Sequence, residues 1–593
     1  MKQFFVTLFG SIIGVIIGSI LTLFILIFGI AGLISAMGAS AAEDTGLPAG
    51  RFVLEVDLRE SRLDQPTRSP FAFTESTSVV DLVRLLDRAA RDNRVAGLFI
   101  RANEFGMTPA QAEEINRAIA AFRESDRPVI VHSQGFVGTS VTNYLAISSA
   151  DEIWLQDTAS FSTSGLAGEV PFYGAALERF EVDAEFIQFL EYKNAPNTYT
   201  ETGFTPEHLE ATLSYFGSIY DVALTNAAAG RSLDLEAFRA LIESAPHSAE
   251  AAASAGLVDQ LGHVAAARQA VIDRAGGNVT LANIEDYRFS GVLTEQGPRI
   301  ALIEGQGAIV TGPGIVSPFG GDPVIGGDAM AEAITNAASA SSVRAIILRI
   351  DSPGGSSVAS DQIWDAIRRA QDRGIPVVVS MGGAAASGGY YIAAPADYIV
   401  SNATTLTGSI GVYGGKISLG ETFGLIGVNF EEVAVGGEFA TANSASSPWT
   451  GEQRAAVEAQ LADIYEDFTQ RVADGREIGI DTVREIARGR VWTGEQALQN
   501  GLVDEIGGLM EAIAAARRLA GIEEDATVNL QRFPRERTPF EAFQELFGVS
   551  AEGAQSLAQL NALMNAPEFR ALMEARQSTG TGNELRTRSV QPR

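Results

Sequence analysis

Short apolar runs alternate with amphipathic stretches along most of the chain, and this alternation predicts β-strands separated by α-helices. In the first half, the pattern predicts a helix over 110–122 and strands at 95–101, 127–131 and 150–154. In the second half, it predicts a helix over 360–372 and strands at 343–350, 375–379 and 396–400. The predicted fold class is therefore α/β, built around buried sheets.

The two halves carry the same elements in nearly the same register. Pro128 and Pro376 are 248 positions apart, and Asp151 and Asp397 are 246 apart. Each half also ends with a Gly-Leu-Val-Asp run, which we interpret as a helix end followed by a short strand. Because the period is far too long for a solenoid, the pattern predicts a tandem duplication of one α/β domain.

The amino terminus contains a long apolar segment. No charged residue occurs from Gln3 to Ala42, and residues 4–37 exceed the roughly 20 apolar residues that span a bilayer. Lys2 precedes the segment and acidic residues follow it, which favours a cytoplasmic amino terminus with the rest of the chain outside, in the periplasm of a Gram-negative cell. A cleaved signal peptide is the alternative, because residues 39–41 read Ala-Ser-Ala, but a signal peptide's apolar region usually has only about 7 to 15 residues. We predict one uncleaved transmembrane helix.

A chain of 593 residues is too long for a single hydrophobic core. We predict four segments: a cytoplasmic amino terminus with its anchor at 1–47, an amino-terminal α/β repeat at 48–293, a carboxyl-terminal α/β repeat at 294–525, and a helical tail with a disordered end at 526–593.

Composition excludes several function classes. The formal net charge is −30, which repels nucleic acid, so we expect no nucleic-acid partner. The chain has no cysteine, and none of its four histidines has a metal-ligand spacing, so we expect no metal and no cofactor. Lysine occurs only at Lys2, Lys193 and Lys416, although arginine is abundant. The scarcity of lysine suggests that it is kept where a neutral amine must accept a proton, which arginine cannot do.

The copies differ where chemistry is expected. After equivalent strands, the second copy carries Arg-Ile-Asp-Ser-Pro-Gly-Gly, ending at Gly355, and then Met-Gly-Gly-Ala-Ala-Ala-Ser-Gly-Gly-Tyr around Ser387. A serine ringed by small residues leaves room for a substrate backbone, and the N–H groups of Gly355 and Gly388 can hold an oxyanion. The alternative is a tight helix–strand packing site that needs small residues. In the first copy the aligned slot, which contains Ser140, is more crowded, and we interpret Ser140 as an unused relic.

Four ordered motifs resemble the signature of the signal peptide peptidase A (protease IV) family: DSPGG at 351–355, MGGAAASGGYY at 381–391, TGSIG at 407–411 and GRVWTG at 489–494. The resemblance implies a duplicated crotonase/Clp-protease-like α/β fold and a Ser-Lys dyad, with the serine from the second copy and the lysine from the first. The lysine corresponds to Lys193, within Glu-Tyr-Lys-Asn-Ala, and Ser409 corresponds to the residue that orients the lysine. The family also implies a homo-oligomer, a tetramer in the duplicated subfamily.

The sequences of the two copies are compatible with a dyad whose serine comes from one copy and whose lysine comes from the other. Aligning the copies on Thr205 and Thr450 puts Glu438 at the position of Lys193, so each copy keeps half a site. A lysine base must be neutral near pH 7, which requires burial or a nearby cation to lower its pKa. Asn194 and Asn197 depart from the family's serine and acidic residue at these positions. Lys416, close to the serine in sequence, is the alternative base.

We therefore predict a membrane-anchored serine endopeptidase that degrades released signal peptides and other peptides at the periplasmic face of the inner membrane. Two alternatives remain at this point: a catalytically inactive membrane scaffold, and a crotonase-type enzyme acting on acyl-CoA.

Overall fold

The computed structural model describes residues 47–66, 77–102, 106–136, 138–293, 296–314, 322–524 and 526–535. The predicted anchor at 4–37 and the predicted tail helices beyond 535 lie outside these ranges. No helix within the described ranges is long and apolar enough to cross a membrane.

The first repeat is a parallel sheet covered by helices. Its described strands are β1 Phe52–Asp57, β2 Val95–Arg101, β3 Val129–Ser133, β4 Glu152–Leu155, β5 Ser160–Phe161, β6 Asp183–Phe189, β7 His247–Ser248, β8 Gln260–Leu261 and β9 Thr280–Asn283. The main sheet has the order β8-β4-β3-β2-β1-β9. Every residue of β2 is buried, as expected for a parallel strand that packs against other elements on both faces.

The helices of the first repeat range from one turn to 25 residues. They are α1 Val79–Arg91, α2 Pro109–Arg123, α3 Val141–Leu145, α4 Gly174–Arg179, α5 Asn197–Thr200, α6 Pro206–Gly230, α7 Leu235–Glu243, α8 Ala249–Ser254, α9 Val264–Arg274 and α10 Ile284–Phe289. The start of α2 shows how local sequence sets a boundary, because Thr108 and Gln111 form a reciprocal capping box and Pro109 follows the cap.

The second repeat has the same layered arrangement. Its described strands are β10 Arg299–Gln306, β11 Ala308–Val310, β12 Val324–Gly326, β13 Val343–Ser352, β14 Val377–Ala386, β15 Tyr398–Ser401, β16 Leu406–Gly408, β17 Val412–Ser418, β18 Val491–Thr493, β19 Glu505–Ile506 and β20 Asn529–Phe533. The helices are α11 Gly327–Ser339, α12 Ser357–Asp372, α13 Gly388–Ala393, α14 Gly420–Gly424, α15 Gly451–Arg476, α16 Ile480–Ile486, α17 Gly494–Gln499 and α18 Leu509–Leu519, with a 3₁₀ turn at Glu438–Thr441.

Strand pairing shows the duplication directly. The order β20-β10-β13-β14-β15-β19 in the second sheet repeats the order β9-β1-β2-β3-β4-β8 of the first. The second sheet adds β16 and β18 beside β14. The strands and helices predicted from the sequence are present in both repeats, with most ends differing by one to three residues, but β14 runs to Ala386, well past the predicted end at 379.

Equivalent hydrogen bonds recur in the two repeats. The hydroxyl of Tyr144 donates to the carbonyl of Leu257, and the hydroxyl of Tyr390 donates to that of Leu502. The carboxylate of Asp151 accepts the N–H that opens β3, and that of Asp397 accepts the N–H that opens β14. The two copies therefore share interior contacts as well as strand order.

The second sheet extends past the predicted boundary at 525. β20 pairs in parallel with β10, from Asn529 opposite Arg299 to Phe533 opposite Ile303. It occupies the place that β9 holds beside β1 in the first repeat. The described start of the predicted helical tail is therefore an edge strand of the second repeat.

Candidate active site

A two-stranded antiparallel ribbon joins the two repeats. β6 of the first repeat pairs with β17 of the second, from Phe189 opposite Val412 to Asp183 opposite Ser418. The chain leaving β6 and the chain entering β17 therefore lie at the same end of the ribbon. Lys193 follows β6 and Ser409 precedes β17, so the ribbon brings residues from the two repeats together.

The backbone around Lys193 is held by the segment that carries the GRVWTG motif. The N–H groups of Leu190 and Tyr192 both donate to the carbonyl of Arg488. A Cβ on Gly489 would lie 2.5 Å from Cβ of Lys193, and this glycine has φ +81°. Only glycine allows both the backbone conformation and the close approach, which explains the first position of the motif.

The amine of Lys193 contacts both serines predicted from the sequence. Its Nζ lies 3.0 Å from Oγ of Ser387, 2.9 Å from Oγ of Ser409 and 2.8 Å from the carbonyl oxygen of Ser409. The lysine is only 3% exposed. Burial lowers its pKa from the ordinary 10.5 to about 7, because the charged ammonium loses its hydration.

Ser387 lies at a sharp turn between β14 and α13. Its φ of +53° is unusual for a residue with a side chain, and such strained turns cluster at functional sites. The turn is held because the N–H of Ser387 donates to the carbonyl of Gly408, while its own carbonyl accepts the N–H groups of Tyr390 and Tyr391. The hydroxyl therefore has a fixed position at the end of the strand.

Two backbone N–H groups lie side by side next to this serine. A Cβ built on Gly388 would be 3.1 Å from the nitrogen of Gly355. The neighbouring Gly354 approaches just as closely, because a Cβ there would be 2.7 Å from both Cβ of Ser387 and the nitrogen of Gly388. Neither the Gly355 nor the Gly388 N–H has a hydrogen-bond partner among the described residues. Unpaired donors in this position suit an oxyanion.

Lys416 lies elsewhere on the ribbon. It pairs with Glu185 across the ribbon, and its Nζ donates to the carbonyls of Ala442, at 3.2 Å, and Ser444, at 3.3 Å. The ring of Trp449 lies 5.7 Å from the same amine. These contacts give Lys416 a role in holding the chain that follows β17.

The corresponding connection in the first repeat lacks the strained conformation, because neither Ser140 nor Val141 has a positive φ. The N–H of Val141 donates to the carbonyl of Ser164, as the N–H of Ser387 does to that of Gly408. The carbonyl of Ser140 accepts the N–H groups of Asn143 and Tyr144, as that of Ser387 accepts those of Tyr390 and Tyr391, and each serine is the N-cap residue of the helix that follows. The hydroxyl of Ser140 contacts the side chains of Thr142 and Asn143 rather than an amine, and its interpretation as an unused relic stays a prediction.

Sequence reasoning also missed a buried ionic cluster between the repeats. Arg349, which is 1% exposed, pairs with Asp64 at 2.5 Å and with Glu114 at 2.6 Å, and both carboxylates belong to the first repeat. Asp351 follows two residues later, and burial together with the nearby Asp64 raises its pKa to about 6. The only sequence signal for this cluster is the arginine that precedes the DSPGG motif.

The described residues contain no group of three or more His, Cys, Asp or Glu side chains arranged to hold a metal ion. The arrangement beside Ser387 consists instead of a hydroxyl, a buried amine and two backbone donors.

Comparison with known proteins identifies the family. The model of peptidase family S49 matches residues 121–276 and 369–523, one stretch in each repeat. Protease 4 of Salmonella typhi is 32% identical over 467 residues, covering 76% of this chain and 73% of the relative. The chloroplastic serine protease SPPA of Arabidopsis thaliana is 28% identical over 510 residues, covering 84% of this chain and 74% of the relative.

Among solved structures, a ClpP1 mutant from Listeria monocytogenes aligns over 36% of this chain and 94% of its own, with 16% identity and a TM-score of 0.23. A score this low carries no argument, so the crotonase/Clp-protease-like assignment stays a prediction, whereas the duplicated α/β fold is seen directly. On the family match and the Protease 4 relative, the chain belongs to peptidase family S49 and is a serine protease.

Proposed function

We propose that this protein is an endopeptidase in which Ser387 is the nucleophile and Lys193 is its general base. The observation that carries the proposal is the 3.0 Å separation between Nζ of Lys193 and Oγ of Ser387, in a place where the lysine is buried. A nucleophile and a base within hydrogen-bond reach, with a third group orienting the base, are the signature of an activated serine.

The hydrogen bonds of Lys193 suit a neutral amine. A neutral amine has two hydrogens and one lone pair, and the two oxygens of Ser409 can accept both hydrogens. The lone pair then faces the hydroxyl of Ser387. Ser409 is therefore the positioning residue in this proposal, because it sets the orientation of the base.

The reaction follows from this arrangement. The amine takes the proton of Ser387 as Oγ attacks the substrate carbonyl, and the N–H groups of Gly355 and Gly388 stabilise the oxyanion. The ammonium of Lys193 then gives its proton to the leaving amine, and an acyl-enzyme remains. Water, deprotonated by the same lysine, hydrolyses the acyl-enzyme and regenerates Ser387.

The proposed substrates are peptides, including released signal peptides, cut at the periplasmic face of the inner membrane. The apolar segment at 4–37 supports a single-pass anchor, and the charge pattern around it favours a periplasmic location for the repeats. Fractionation of cells, with protease accessibility of the repeats in spheroplasts, tests this location.

We also propose a homo-oligomer, a tetramer as in the duplicated subfamily. The chain after β17 exposes large apolar side chains, with Val433 94% and Val435 93% exposed and Ile426 74% exposed. Apolar surface of this kind usually becomes buried in an interface. Mass photometry of the detergent-solubilised protein measures the stoichiometry.

The experiment that tests the function is hydrolysis of casein and of a synthetic signal peptide by the detergent-purified full chain. We expect Ser387→Ala and Lys193→Met to abolish cleavage and Lys416→Met to retain it. Ser409→Ala, which keeps the carbonyl contact but loses the hydroxyl, is expected to lower kcat by about tenfold. An inert wild type would instead favour a scaffold, and activity in Lys193→Met would remove the proposed base.

A further inference from the structure

The strand that carries the nucleophile contains a bulge. Between β13 and β14, Ile350 lies opposite Met381 and Ser352 lies opposite Ala385. One residue of β13 therefore spans three residues of β14, and the two extra positions fall in the Gly382–Ala384 stretch. The residue of β13 opposite this bulge is Asp351. The register of Ser387 thus depends on what fills the bulge.

The side chain of Asp351 occupies the bulge. Its Oδ1 accepts the N–H of Ala384 at 3.0 Å, and its Oδ2 accepts the side-chain amide of Gln306 at 3.1 Å. A Cβ on Gly382 would lie 3.0 Å from Cβ of Asp351, and one on Gly383 would lie 3.3 Å from Oδ1. The two glycines of the MGG motif are therefore needed for the carboxylate to fit.

Asp351 also connects the bulge to the oxyanion donors. It immediately precedes the Ser-Pro-Gly-Gly turn, and its carbonyl accepts the N–H of Gly307 at 2.9 Å. Gly355 is four residues further along the chain, whereas Ser387 is three residues after Ala384. One side chain thus links the loop that supplies one N–H donor to the strand that supplies the nucleophile and the other donor.

We propose that Asp351 is a positioning residue for the peptidase reaction: by bonding the N–H of Ala384 within the bulge, its carboxyl group fixes Ser387 relative to the N–H groups of Gly355 and Gly388. This inference rests on the proposed roles of Ser387 and the two glycines. It adds a group that touches neither the substrate nor the reacting atoms.

Asp351 acts through its hydrogen bond to Ala384 and not through an ion pair. The buried carboxylates of Asp64 and Glu114 already engage the guanidinium of Arg349, and the half-buried Asp351 shares this cation with them. Within the described ranges, a negative charge on Asp351 therefore has no ion-pair partner of its own. The hydrogen bond to Ala384 depends on an acceptor oxygen of the right reach, which asparagine also has.

Four variants distinguish the effect of side-chain length at position 351 from the effect of its charge. Asp351→Asn keeps the acceptor oxygen for the N–H of Ala384 and loses the charge, while its NH₂ replaces the oxygen that accepts from Gln306, whose amide can turn to present its own oxygen. Asp351→Glu keeps the charge with a longer side chain, and Asp351→Ala loses both the acceptor and the charge. Asp397→Ala is the matched control, because Asp397 accepts the N–H of Val377 on the same strand but at the end remote from Ser387. Each is made in the detergent-purified full chain, with wild type and Ser387→Ala alongside.

The measurement is kcat and KM for a casein-derived fluorogenic peptide at pH 8, with thermal melting as the test of folding. We expect Asp351→Ala and Asp351→Glu to lose about 10²-fold in kcat with KM little changed, as for an active site displaced by about 1 Å. Asp351→Asn and Asp397→Ala should keep kcat within about threefold of wild type.

Wild-type kcat in Asp351→Ala overturns the proposal, as does an Asp351→Glu variant more active than Asp351→Asn. If Asp351→Ala does not fold, the Asn and Glu variants decide alone. An inert wild type, or an active Ser387→Ala, contradicts the proposed peptidase function instead. Failure of the role proposed for Asp351 can therefore be distinguished from failure of the proposed function.

Discussion

Replacing Lys193 with methionine should make the protein more stable while abolishing catalysis. Lys193 is 3% exposed and its pKa in the folded protein is about 7, against 10.5 for an ordinary lysine. Each pKa unit corresponds to about 1.4 kcal/mol, so the buried amine costs up to about 5 kcal/mol of folding free energy when the unfolded chain is protonated. Methionine fills a similar volume without this cost.

The direction in which stability changes with pH follows from the number of protons that the folded and the unfolded chain bind. Between pH 7 and pH 10.5 the unfolded chain holds a proton that the folded chain lacks, so wild-type stability rises with pH across this window. The cost is fully present below pH 7 and disappears above pH 10.5. At pH 8 it is about 3 kcal/mol, and it falls below about 1 kcal/mol at pH 10.

The assay is thermal unfolding of the full chain in detergent at pH 8 and pH 10, for wild type, Lys193→Met and Lys416→Met. We expect Lys193→Met to melt several degrees above wild type at pH 8 and this advantage to shrink at pH 10. Lys416→Met is the matched control and should show no gain, since its amine is partly exposed and bonded to two carbonyls. A Lys193→Met protein no more stable than wild type at pH 8, or an advantage independent of pH, would refute the reasoning.

Three further predictions concern the site and the contact between the repeats. Because Lys193 must be neutral, kcat/KM should rise about tenfold per pH unit below pH 7 and level off above it; a pH–rate profile that is flat from pH 5 to 8 contradicts this. Gly489→Ala would place a Cβ 2.5 Å from Cβ of Lys193, so the rate of peptide cleavage should fall by about 10²-fold. A Cβ on Gly479 would meet nothing within 4 Å, so Gly479→Ala is the control and should cleave at the wild-type rate. Equal rates for the two variants would contradict this prediction. Arg349→Met leaves two buried carboxylates of the first repeat without their cation and should cost about 3–5 kcal/mol in unfolding experiments; an unchanged melting temperature at pH 8 would show that the cluster contributes little.

Much of this arrangement was predictable because it depends on local pattern or on composition. The alternating apolar runs predicted the strands, and the register between the halves predicted the duplication. The small residues around Ser387 indicated a site with room for a substrate backbone, although the predicted strand at 375–379 ended well before the serine that the observed strand reaches. The scarcity of lysine singled out Lys193 and Lys416, but the residues alone could not choose between them.

The choice between the two lysines depends on pairing between the repeats. The antiparallel register of β6 and β17 puts Lys416 opposite Glu185, away from the end of the ribbon where Lys193 meets Ser409. No local periodicity reports that register, because the two strands are more than 200 positions apart in the chain. Family resemblance supplied what the pattern could not.

Polar contacts between residues far apart in the chain also could not be predicted from the sequence. The partners of Arg349, Asp64 and Glu114, are both more than 230 positions away from it, and no hydrophobic pattern marks them. The strand β20 was missed for a related reason: it is a short edge strand, defined by its partner β10 rather than by its own composition.

Covalent labelling of the full chain with a peptidyl fluorophosphonate, followed by peptide mass spectrometry, tests the nucleophile and its base in one experiment. We expect one adduct, on Ser387, in the wild type and in Lys416→Met, and none in Ser387→Ala or Lys193→Met. An adduct on another residue, or labelling of Ser387 that is equally fast in Lys193→Met, would contradict the assignment of Ser387 and Lys193 as nucleophile and base.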